Sequence, residues 1–240
     1  VRTEAHGRVT IVVIDRPHRR NAVDHATLVA LQAALEQAAQ AASRVLVLTG
    51  DGGAFCAGAD LTGVEDDGFV VALSRVLHGL AGFDGVTIAA VDGPALGAGT
   101  QLALACDLRV ATPSSRFGIP AAKLGLAIDA WTVDRLAAEV GSAIARAMLV
   151  AATTYTAEQL HAVGAVHRLG TLEDALRWAD EIAALAPLTI RAHKVGLAAL
   201  ADVDLGERFE EARLAAWASV DATEGRTAFL EKRRPEFRGR

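Results

Sequence analysis

The chain has 240 residues, of which 52% are hydrophobic and 22% are charged, and its formal net charge is −5. This composition is typical of a globular protein with a sizeable core, and it excludes a disordered chain. The small acidic charge, with no long run of one sign, argues against a nucleic-acid-binding protein.

Strands and helices are predicted to alternate along the first half of the chain. Three buried apolar runs, Val9–Ile14, Val45–Leu48 and Val86–Val91, predict strands, and a fourth strand is predicted at Leu108–Ala111, after the third helical stretch. Three stretches with helical spacing predict helices: His25 to about Ala42, Val70–Leu80 and Gly97–Cys106. Asp24 is a suitable N-cap for the first of them. The alternation favours right-handed βαβ crossovers in an α/β fold.

After about Ala130 the chain is predicted to be helical. Six segments carry helical periodicity: Trp131–Val140, Ser142–Ala151, Ala157–Val163, Leu172–Leu185, Leu188–Leu200 and Leu205–Trp217. Glycines and a proline separate several of these segments, and no internal repeat or flexible linker is evident. We therefore expect an α/β core over residues 1–185 and a C-terminal helical region over residues 186–240.

Several familiar sites are missing from the sequence. It contains no GxGxxG fingerprint, P-loop, GxSxG elbow or HExxH motif, and its histidines do not have metal-ligand spacing. Cys56 and Cys106 form no CxxC pair, so neither a disulfide framework nor a zinc site is expected. No apolar run is long enough for a membrane span, and no signal-peptide core is evident. We expect a cytoplasmic protein without a metal or cofactor of its own.

Two turns rich in glycine and alanine each follow a predicted buried strand. They are Cys56–Leu61 (CAGADL) and Asp92–Gly99 (DGPALGAG), and the second opens a helix. Small residues allow a ligand to approach the backbone, and a helix N-terminus stabilises developing negative charge. Two such N–H groups facing one point would form an oxyanion hole. Each turn taken alone is more simply explained as a tight packing turn.

Together these turns resemble the two signatures of the enoyl-CoA hydratase/isomerase (crotonase) family, FCAGADL at 55–61 and VDGPALGAGTQLALACDLRVA at 91–111. The resemblance continues through IDRPHRRNAVD at 14–24, SRFGIPAAKLGL at 115–126 and FLEKRRPEFRGR at 229–240, so it covers nearly the whole chain. It implies a crotonase (ClpP/crotonase-like) fold with a repeated ββα core and a helical C-terminal trimerisation region.

By this resemblance, the N–H groups of Ala59 and Ala98 form the oxyanion hole. Ala57 and Leu61 are placed where relatives contact the adenine and pantetheine of coenzyme A (CoA), and Asp60 between them is a further candidate for binding CoA or the acyl group. The physical reading agrees, because two N–H donors on a thioester carbonyl would stabilise an enolate formed there.

The resemblance also implies that basic residues near both ends contact CoA. His18, Arg19 and Arg20 lie in the segment that relatives lay along the ligand. Phe229 and Lys232 match a pair that relatives extend to the nucleotide of a neighbouring subunit. An ordinary solvated surface explains the basic residues equally well.

The chain departs from the family at the two glutamates that handle water and a proton in hydratases. Aligned by motif, these positions hold Gln101 and Ala121. Glutamine keeps a hydrogen-bonding capacity but cannot act as a general base, and alanine can do no acid–base work. We therefore expect hydratase activity to be lost.

Asp129, in the segment GLAIDAW at 125–131, is the remaining candidate for acid–base chemistry. Its position resembles that of a catalytic aspartate in two kinds of relatives, the dienoyl-CoA isomerases and an aryl-CoA dehalogenase. Asp129 could instead cap the helix that begins near Ala130, and the two roles are compatible. Trp131 is expected either to wall the acyl site or to belong to the core.

The combination of GLAIDAW with Gln101 and Ala121 resembles actinobacterial hydratase-like proteins thought to bind acyl-CoA without turning it over. The resemblance therefore implies an acyl-CoA-binding protein of fatty-acid metabolism that assembles as a homotrimer or hexamer. The alternative is an enoyl-CoA or dienoyl-CoA isomerase that uses Asp129 alone, and hydration comes third.

Overall fold

The computed structural model describes residues 1–62, 67–185, 187–200, 218–233 and 235. Within these ranges the strands are β1 (Arg2–His6), β2 (Val9–Ile14), β3 (Val45–Gly50), β4 (Val86–Val91), β5 (Pro94–Leu96), β6 (Leu108–Ala111), β7 (Arg116–Gly118), β8 (Tyr155–Thr156) and β9 (Arg168–Leu169). The helices are α1 (His25–Gln40), α2 (Asp67–Ala81), α3 (Ala98–Ala105), α4 (Ala130–Val150), α5 (Ala157–His161), α6 (Leu172–Ala183), α7 (Pro187–Leu200) and α8 (Val220–Leu230). Short 3-10 helices lie at Pro17–Arg19 and Pro120–Leu124.

A six-stranded sheet forms the centre of the described part of the chain, in the order β1-β2-β3-β4-β6-β9. β1 is antiparallel to β2, and every other neighbouring pair in this sheet is parallel. A smaller sheet has the order β5-β7-β8, in which β5 is parallel to β7 and β8 is antiparallel to it. Because β3 and β4 are parallel neighbours in the middle of the main sheet, their carboxyl ends lie side by side.

Both faces of the main sheet are covered by helices. On β3, Leu46 and Leu48 belong to the core cluster that includes buried residues of α1, α2 and α3. The alternate residues Val45 and Val47 belong to a second cluster with α6. A parallel strand buried on both faces is expected to be apolar throughout, which explains why these strands stand out in the sequence as continuous apolar runs.

Most predicted elements are confirmed, with small changes at their ends. Three strands have the predicted bounds, and the second continues to Gly50. Asp24 caps α1, accepting a hydrogen bond from the Thr27 N–H at 2.8 Å. The two helices predicted on either side of Gly141 are both present within α4, and Gly141 separates them at a kink, where its conformation is non-helical (φ 77°, ψ 152°). The predicted helix Leu205–Trp217 lies outside the described residues.

Other elements were not predicted. β1 is a polar edge strand (RTEAH) in which every residue is exposed. Its sequence has no apolar pattern, and it is a strand because its backbone pairs with β2. β5, β7, β8 and β9 are two or three residues long, too short to show a period. α8 has only a weak apolar stripe, so the contact it makes with the rest of the fold decides its position.

The described C-terminal helices pack against the core rather than forming a separate unit. On α7, Lys194 Nζ donates hydrogen bonds to the carbonyl oxygens of Phe83 (2.7 Å) and Gly85 (2.8 Å) and to Asp107 (2.7 Å). α8 lies on the 3-10 helix Pro120–Leu124, and the backbone of Leu124 fills the space that a side chain at Gly225 would need. No helix in the described ranges is long and apolar enough to span a membrane, and the same residues hold no metal-ligand cluster.

The packing of α8 predicts that Gly225→Ala will destabilise the protein. A Cβ at this position would lie 2.1 Å from the carbonyl oxygen of Leu124, so α8 or the 3-10 helix must shift. Overpacking of this kind costs about 1–3 kcal/mol, or roughly 2–4 °C in melting temperature per kcal/mol for a chain of this size. Thermal unfolding followed by circular dichroism measures the change.

Gly196→Ala is the matched control. Gly196 is also helical and is exposed on α7, and a Cβ added there would have no atom within 4 Å. Its replacement should leave the melting temperature unchanged or raise it slightly, because alanine favours helix. Equal shifts in the two variants would contradict the proposed packing of α8.

Candidate functional site

The two glycine-alanine turns are joined edge to edge at the carboxyl ends of β3 and β4. The Cys56 N–H donates to the Pro94 carbonyl, and the Leu96 N–H donates to the Cys56 carbonyl, both at 3.0 Å. Gly99 makes this approach possible, because a Cβ there would lie 2.1 Å from the Cys56 carbonyl oxygen. The glycine at 99 is thus required by a close backbone contact.

The joined turns form the floor of a cavity of about 300 Å³. α2, the 3-10 helix Pro120–Leu124, the segment 126–129 and Phe229 of α8 complete its lining. Most of the lining is apolar. Its described side chains and backbone come from Arg20, Ala57, Gly58, Ala59, Leu61, Phe69, Val70, Leu73, Ser74, Pro94, Leu96, Gly97, Ala98, Gln101, Ile119, Pro120, Ala121, Leu124, Leu126, Ala127, Ile128, Asp129 and Phe229.

The backbone N–H groups of Ala59 and Ala98 have no acceptor among the described residues, although both residues line the cavity. The bridge between the first turn and Val23 uses the Gly58 carbonyl and the Asp60 N–H, and it leaves the Ala59 N–H free. Ala98 is the first residue of α3, where a helix has no internal acceptor for the N–H. Two residues of the lining therefore carry backbone donors without a partner among the described residues, one of them at the positive end of a helix dipole.

The opposite end of α3 is held by two arginines. Arg109 donates to the carbonyl oxygens of Ala103 (3.2 Å) and Cys106 (3.0 Å), and Arg135 donates to that of Leu104 (3.0 Å). Cations at a helix C-terminus satisfy its unpaired carbonyls and favour its dipole. These contacts fix the axis of α3 and, through it, the position of the Ala98 N–H.

Arg109 is fully buried, and Glu139 balances its charge. Glu139 forms ion pairs with both Arg109 and Arg135, the second at 3.0 Å. Desolvation lowers the pKa of the Arg109 guanidinium. Desolvation, with the charges of Arg109 and Arg135, also lowers the pKa of His167 to about 4. The neutral His167 ring accepts a hydrogen bond from the Arg109 backbone N–H through Nδ1, at 3.1 Å.

Gln101 follows Ala98 by one turn of α3, and its side chain is a buried part of the cavity wall. The residue is only 6% exposed. Its Oε1 atom is buried and has no hydrogen-bond partner in the described structure. Leaving a buried acceptor unpaired costs about 1–3 kcal/mol.

Asp129 is the only carboxylate among the described residues of the lining, and it also caps α4. One oxygen accepts from the Thr132 N–H at 2.9 Å, and the other accepts from the Thr132 hydroxyl at 2.7 Å. Ala121, on the 3-10 helix, also lines the cavity. Trp131 is outside the lining, and its ring packs 5.0 Å from that of His78, between centroids. The expected role of Asp129 as a helix cap is confirmed. Gln101 and Ala121, which stand at the positions of the two hydratase glutamates, both line this cavity.

The loop before α1 brings one of the predicted basic residues to the cavity. His18, Arg19 and Arg20 are exposed, and Arg20 is the one that reaches the lining. Arg20 has a left-handed conformation (φ 51°), and its carbonyl accepts from the Ala57 N–H at 3.0 Å. The loop and the first turn are thus joined by their backbones.

Asn21 is a buried residue of this loop that sequence reasoning missed. Its Oδ1 accepts from the Arg16 N–H (2.8 Å), and its Nδ2 donates to the carbonyls of Asp51 (2.7 Å) and Ala54 (2.6 Å). It also has a left-handed conformation (φ 57°), which asparagine tolerates better than most residues. The sequence signal that could have identified it is its residue type, because asparagine, here directly after the basic run, is typical of a turn with a left-handed conformation.

Asp60 is held beside the cavity by Thr62 and Arg16. The Thr62 hydroxyl donates to it at 2.6 Å, and this hydrogen bond holds the pKa of the Asp60 carboxyl below its usual value. Arg16 lies 3.3 Å from Asp60 and 2.8 Å from Asp24. This pairing connects the first turn to the start of α1.

Phe229 lines the cavity of its own chain while remaining 56% exposed. Lys232 follows the end of α8 and is exposed. A role for this pair at a neighbouring subunit stays a prediction, because the structure is of one chain.

A family model described as enoyl-CoA hydratase/isomerase matches residues 4–240. The chain belongs to this family. A "Probable enoyl-CoA hydratase echA6" of Mycobacterium tuberculosis is 42% identical, over 99% of this chain and 98% of the relative. The 2,3-dehydroadipyl-CoA hydratase of Escherichia coli is 38% identical, over 97% and 96%.

Solved structures agree with this assignment. A methylmalonyl-CoA decarboxylase matches with a TM-score of 0.91 and 25% identity, over 100% of this chain and 98% of that one. Carnitinyl-CoA hydratase from Mycobacterium avium matches with a TM-score of 0.84 and 33% identity, over 99% and 98%. The predicted crotonase fold is confirmed, and the cavity belongs to a family that processes acyl-CoA thioesters.

Proposed function

We propose that this crotonase-family protein binds fatty acyl-CoA thioesters, with the thioester oxygen held by the N–H groups of Ala59 and Ala98. One observation carries the proposal. Ala59 and Ala98 line the same cavity, their backbone N–H groups have no acceptor among the described residues, and the walls around them are mostly apolar. A carbonyl oxygen is the acceptor that such donors require, and an acyl chain fits apolar walls. Arg20, at the cavity, is suited to the charged CoA part of the ligand.

We propose that the protein binds acyl-CoA thioesters without hydrating them. Hydration needs groups that transfer a proton to or from water and carbon, and Gln101 and Ala121 cannot do so. Gln101 is held in an apolar wall, and the methyl group of Ala121 offers no hydrogen bond. The names of the relatives describe hydratases, so activity assays must decide this point.

Isomerisation by Asp129 is the second candidate. Its support is that Asp129 is the carboxylate of the described lining, where it could move a proton between carbons of an enoyl or dienoyl thioester. Against this, Thr132 engages both carboxylate oxygens, as a helix cap requires. We therefore favour binding over isomerisation.

We also propose assembly as a homotrimer or hexamer. Val220, Phe229 and Leu230 of α8 are all more than half exposed, which favours burial in an interface. A 25.0 kDa species in analytical ultracentrifugation would contradict this assembly.

Calorimetric titration with saturated acyl-CoA esters of several chain lengths tests the binding proposal. We expect saturable binding at one site per chain, because the donors and the apolar walls are already in place. Free CoA should bind more weakly, since it lacks the carbonyl and the acyl chain. No heat with any ester, under conditions where a reference crotonase gives a signal, would refute the proposal.

Hydration of crotonyl-CoA should be indistinguishable from background. Turnover at about 1–10³ s⁻¹, the usual range for enzymes, would show that our interpretation of Gln101 and Ala121 is wrong. The double variant Gln101→Glu, Ala121→Glu restores both carboxylates, and we expect it to gain measurable hydration. The single variants serve as controls and should remain close to background, because the reaction needs both groups.

Asp129→Asn separates the two candidate functions. Asparagine caps a helix about as well as aspartate but cannot accept a proton, so the variant should fold normally. For a binding protein, we expect no deuterium incorporation into bound acyl-CoA by either form and equal affinities. Mass spectrometry measures the incorporation. Exchange in the parent protein that disappears in the asparagine variant would establish an isomerase instead.

A further inference from the structure

Val23 holds both of the peptide groups that flank Ala59 in the first turn. Its N–H donates to the Gly58 carbonyl at 2.9 Å, and its carbonyl accepts from the Asp60 N–H at 2.8 Å. The Ala59 N–H belongs to the same planar peptide group as the Gly58 carbonyl, and in a trans peptide the two point in opposite directions. The bond from Val23 therefore turns the Ala59 N–H to the side away from Val23.

The same geometry is found one peptide group earlier. The Val23 N–H shares its peptide group with the Ala22 carbonyl, which accepts a hydrogen bond from Nη1 of Arg16 at 2.5 Å. A line of hydrogen bonds, the Arg16 relay, thus runs from the Arg16 guanidinium through the peptide group of Ala22 and Val23 to that of Gly58 and Ala59. Its last donor is the N–H of Ala59, a residue that lines the cavity.

The guanidinium of Arg16 is also held by opposite charges. Its Nη2 lies 2.8 Å from a carboxylate oxygen of Asp24 and 3.3 Å from one of Asp60. Only 21% of the Arg16 side chain and 10% of the Asp60 side chain are exposed. The Arg16 backbone is fixed as well, because its N–H donates to Oδ1 of Asn21 at 2.8 Å. The cation therefore has a defined position at the start of the relay.

A fixed cation at one end of such a line changes the donor at the other end. A charged donor on a carbonyl polarises the peptide group, so that its N–H becomes a stronger donor to the next carbonyl. This cooperative strengthening is about 10–30% per bond, and it is larger where water does not screen it. Val23, in the middle of the relay, is fully buried. The relay is therefore suited both to orient the Ala59 N–H and to strengthen it.

We propose that Arg16 is a positioning residue for carbonyl recognition, acting through the relay to orient and polarise the Ala59 N–H. The inference rests on the proposed binding function, and it adds a charged residue to the same site. Arg16 is not part of the described lining of the cavity, so it acts through the two peptide groups rather than by touching the ligand.

Two ligands that differ by one carbonyl test this role. Octanoyl-CoA carries the thioester oxygen, whereas S-octyl-CoA, the thioether of the same chain length, lacks it. In calorimetric titration, Arg16→Met should weaken octanoyl-CoA binding about tenfold and change S-octyl-CoA binding by less than about twofold. Equal losses with both ligands, or no loss with either, would overturn the inference while leaving acyl-CoA binding intact. No binding of either ligand by the parent protein would overturn both proposals.

The carbonyl stretching frequency of bound octanoyl-CoA reports on the donor directly. A hydrogen bond lowers this frequency, so a ¹³C label at the carbonyl should show a lower value in the parent complex than in solution, and Arg16→Met should lose most of the shift. Infrared difference spectroscopy measures it. Arg16→Gln is the second variant if the methionine protein does not fold. Its amide can donate to the Ala22 carbonyl but has no charge, so an intermediate shift is expected. A shift equal to that of the parent protein, in either variant, would overturn the inference.

Arg2→Met is the matched control. Arg2 also pairs with several carboxylates, those of Glu4, Asp15 and Asp51, but it belongs to β1 and has no bond to the relay. Both affinities and the carbonyl frequency should equal those of the parent protein. A selective loss of octanoyl-CoA binding in this control would show that net charge, rather than the relay, produces the effect, and it would overturn the inference.

Discussion

The close backbone contact between the two glycine-alanine turns is the constraint on which the site depends. Cys56 exchanges hydrogen bonds with Pro94 and Leu96, and the space that a side chain at position 99 would need is filled by the Cys56 carbonyl. These contacts bring the segment after β3 against the start of α3. They use the neighbouring backbone donors but not the N–H groups of Ala59 and Ala98, two residues that line the cavity.

α3 connects this contact to the rest of the molecule. Its first turn forms the floor of the cavity, and its last carbonyls are held by Arg109 and Arg135. Burying Arg109 requires compensation, which Glu139 and several carbonyl oxygens provide. A helix fixed at its far end holds its N-terminal N–H in place, and such preorganisation would strengthen the carbonyl recognition that we propose for this site. Gln101 is the departure from this satisfied network, because its acceptor has no partner among the described residues.

The C-terminal helix α8 gives the cavity one wall from a distant part of the sequence. Gly225 allows α8 to contact the 3-10 helix that carries Ala121, and Phe229 then reaches the lining. The same cavity is therefore lined by Gln101, Ala121, Ala59, Ala98 and Asp129. Family membership explains this arrangement, whereas our proposal that hydration is lost rests on the identities of Gln101 and Ala121.

The sequence by itself determined the four main parallel strands, the Asp24 and Asp129 caps and the two signature turns, because each depends on local pattern or chemistry. Tertiary structure alone decided three other features. β1 became a strand only through pairing with β2, since its polar sequence has no period of its own. Asn21 became a structural centre because its partners, Asp51 and Ala54, are about thirty residues away in the chain. The missing partner of Gln101 could not be predicted, because an unpaired acceptor is defined by every group that packs around it.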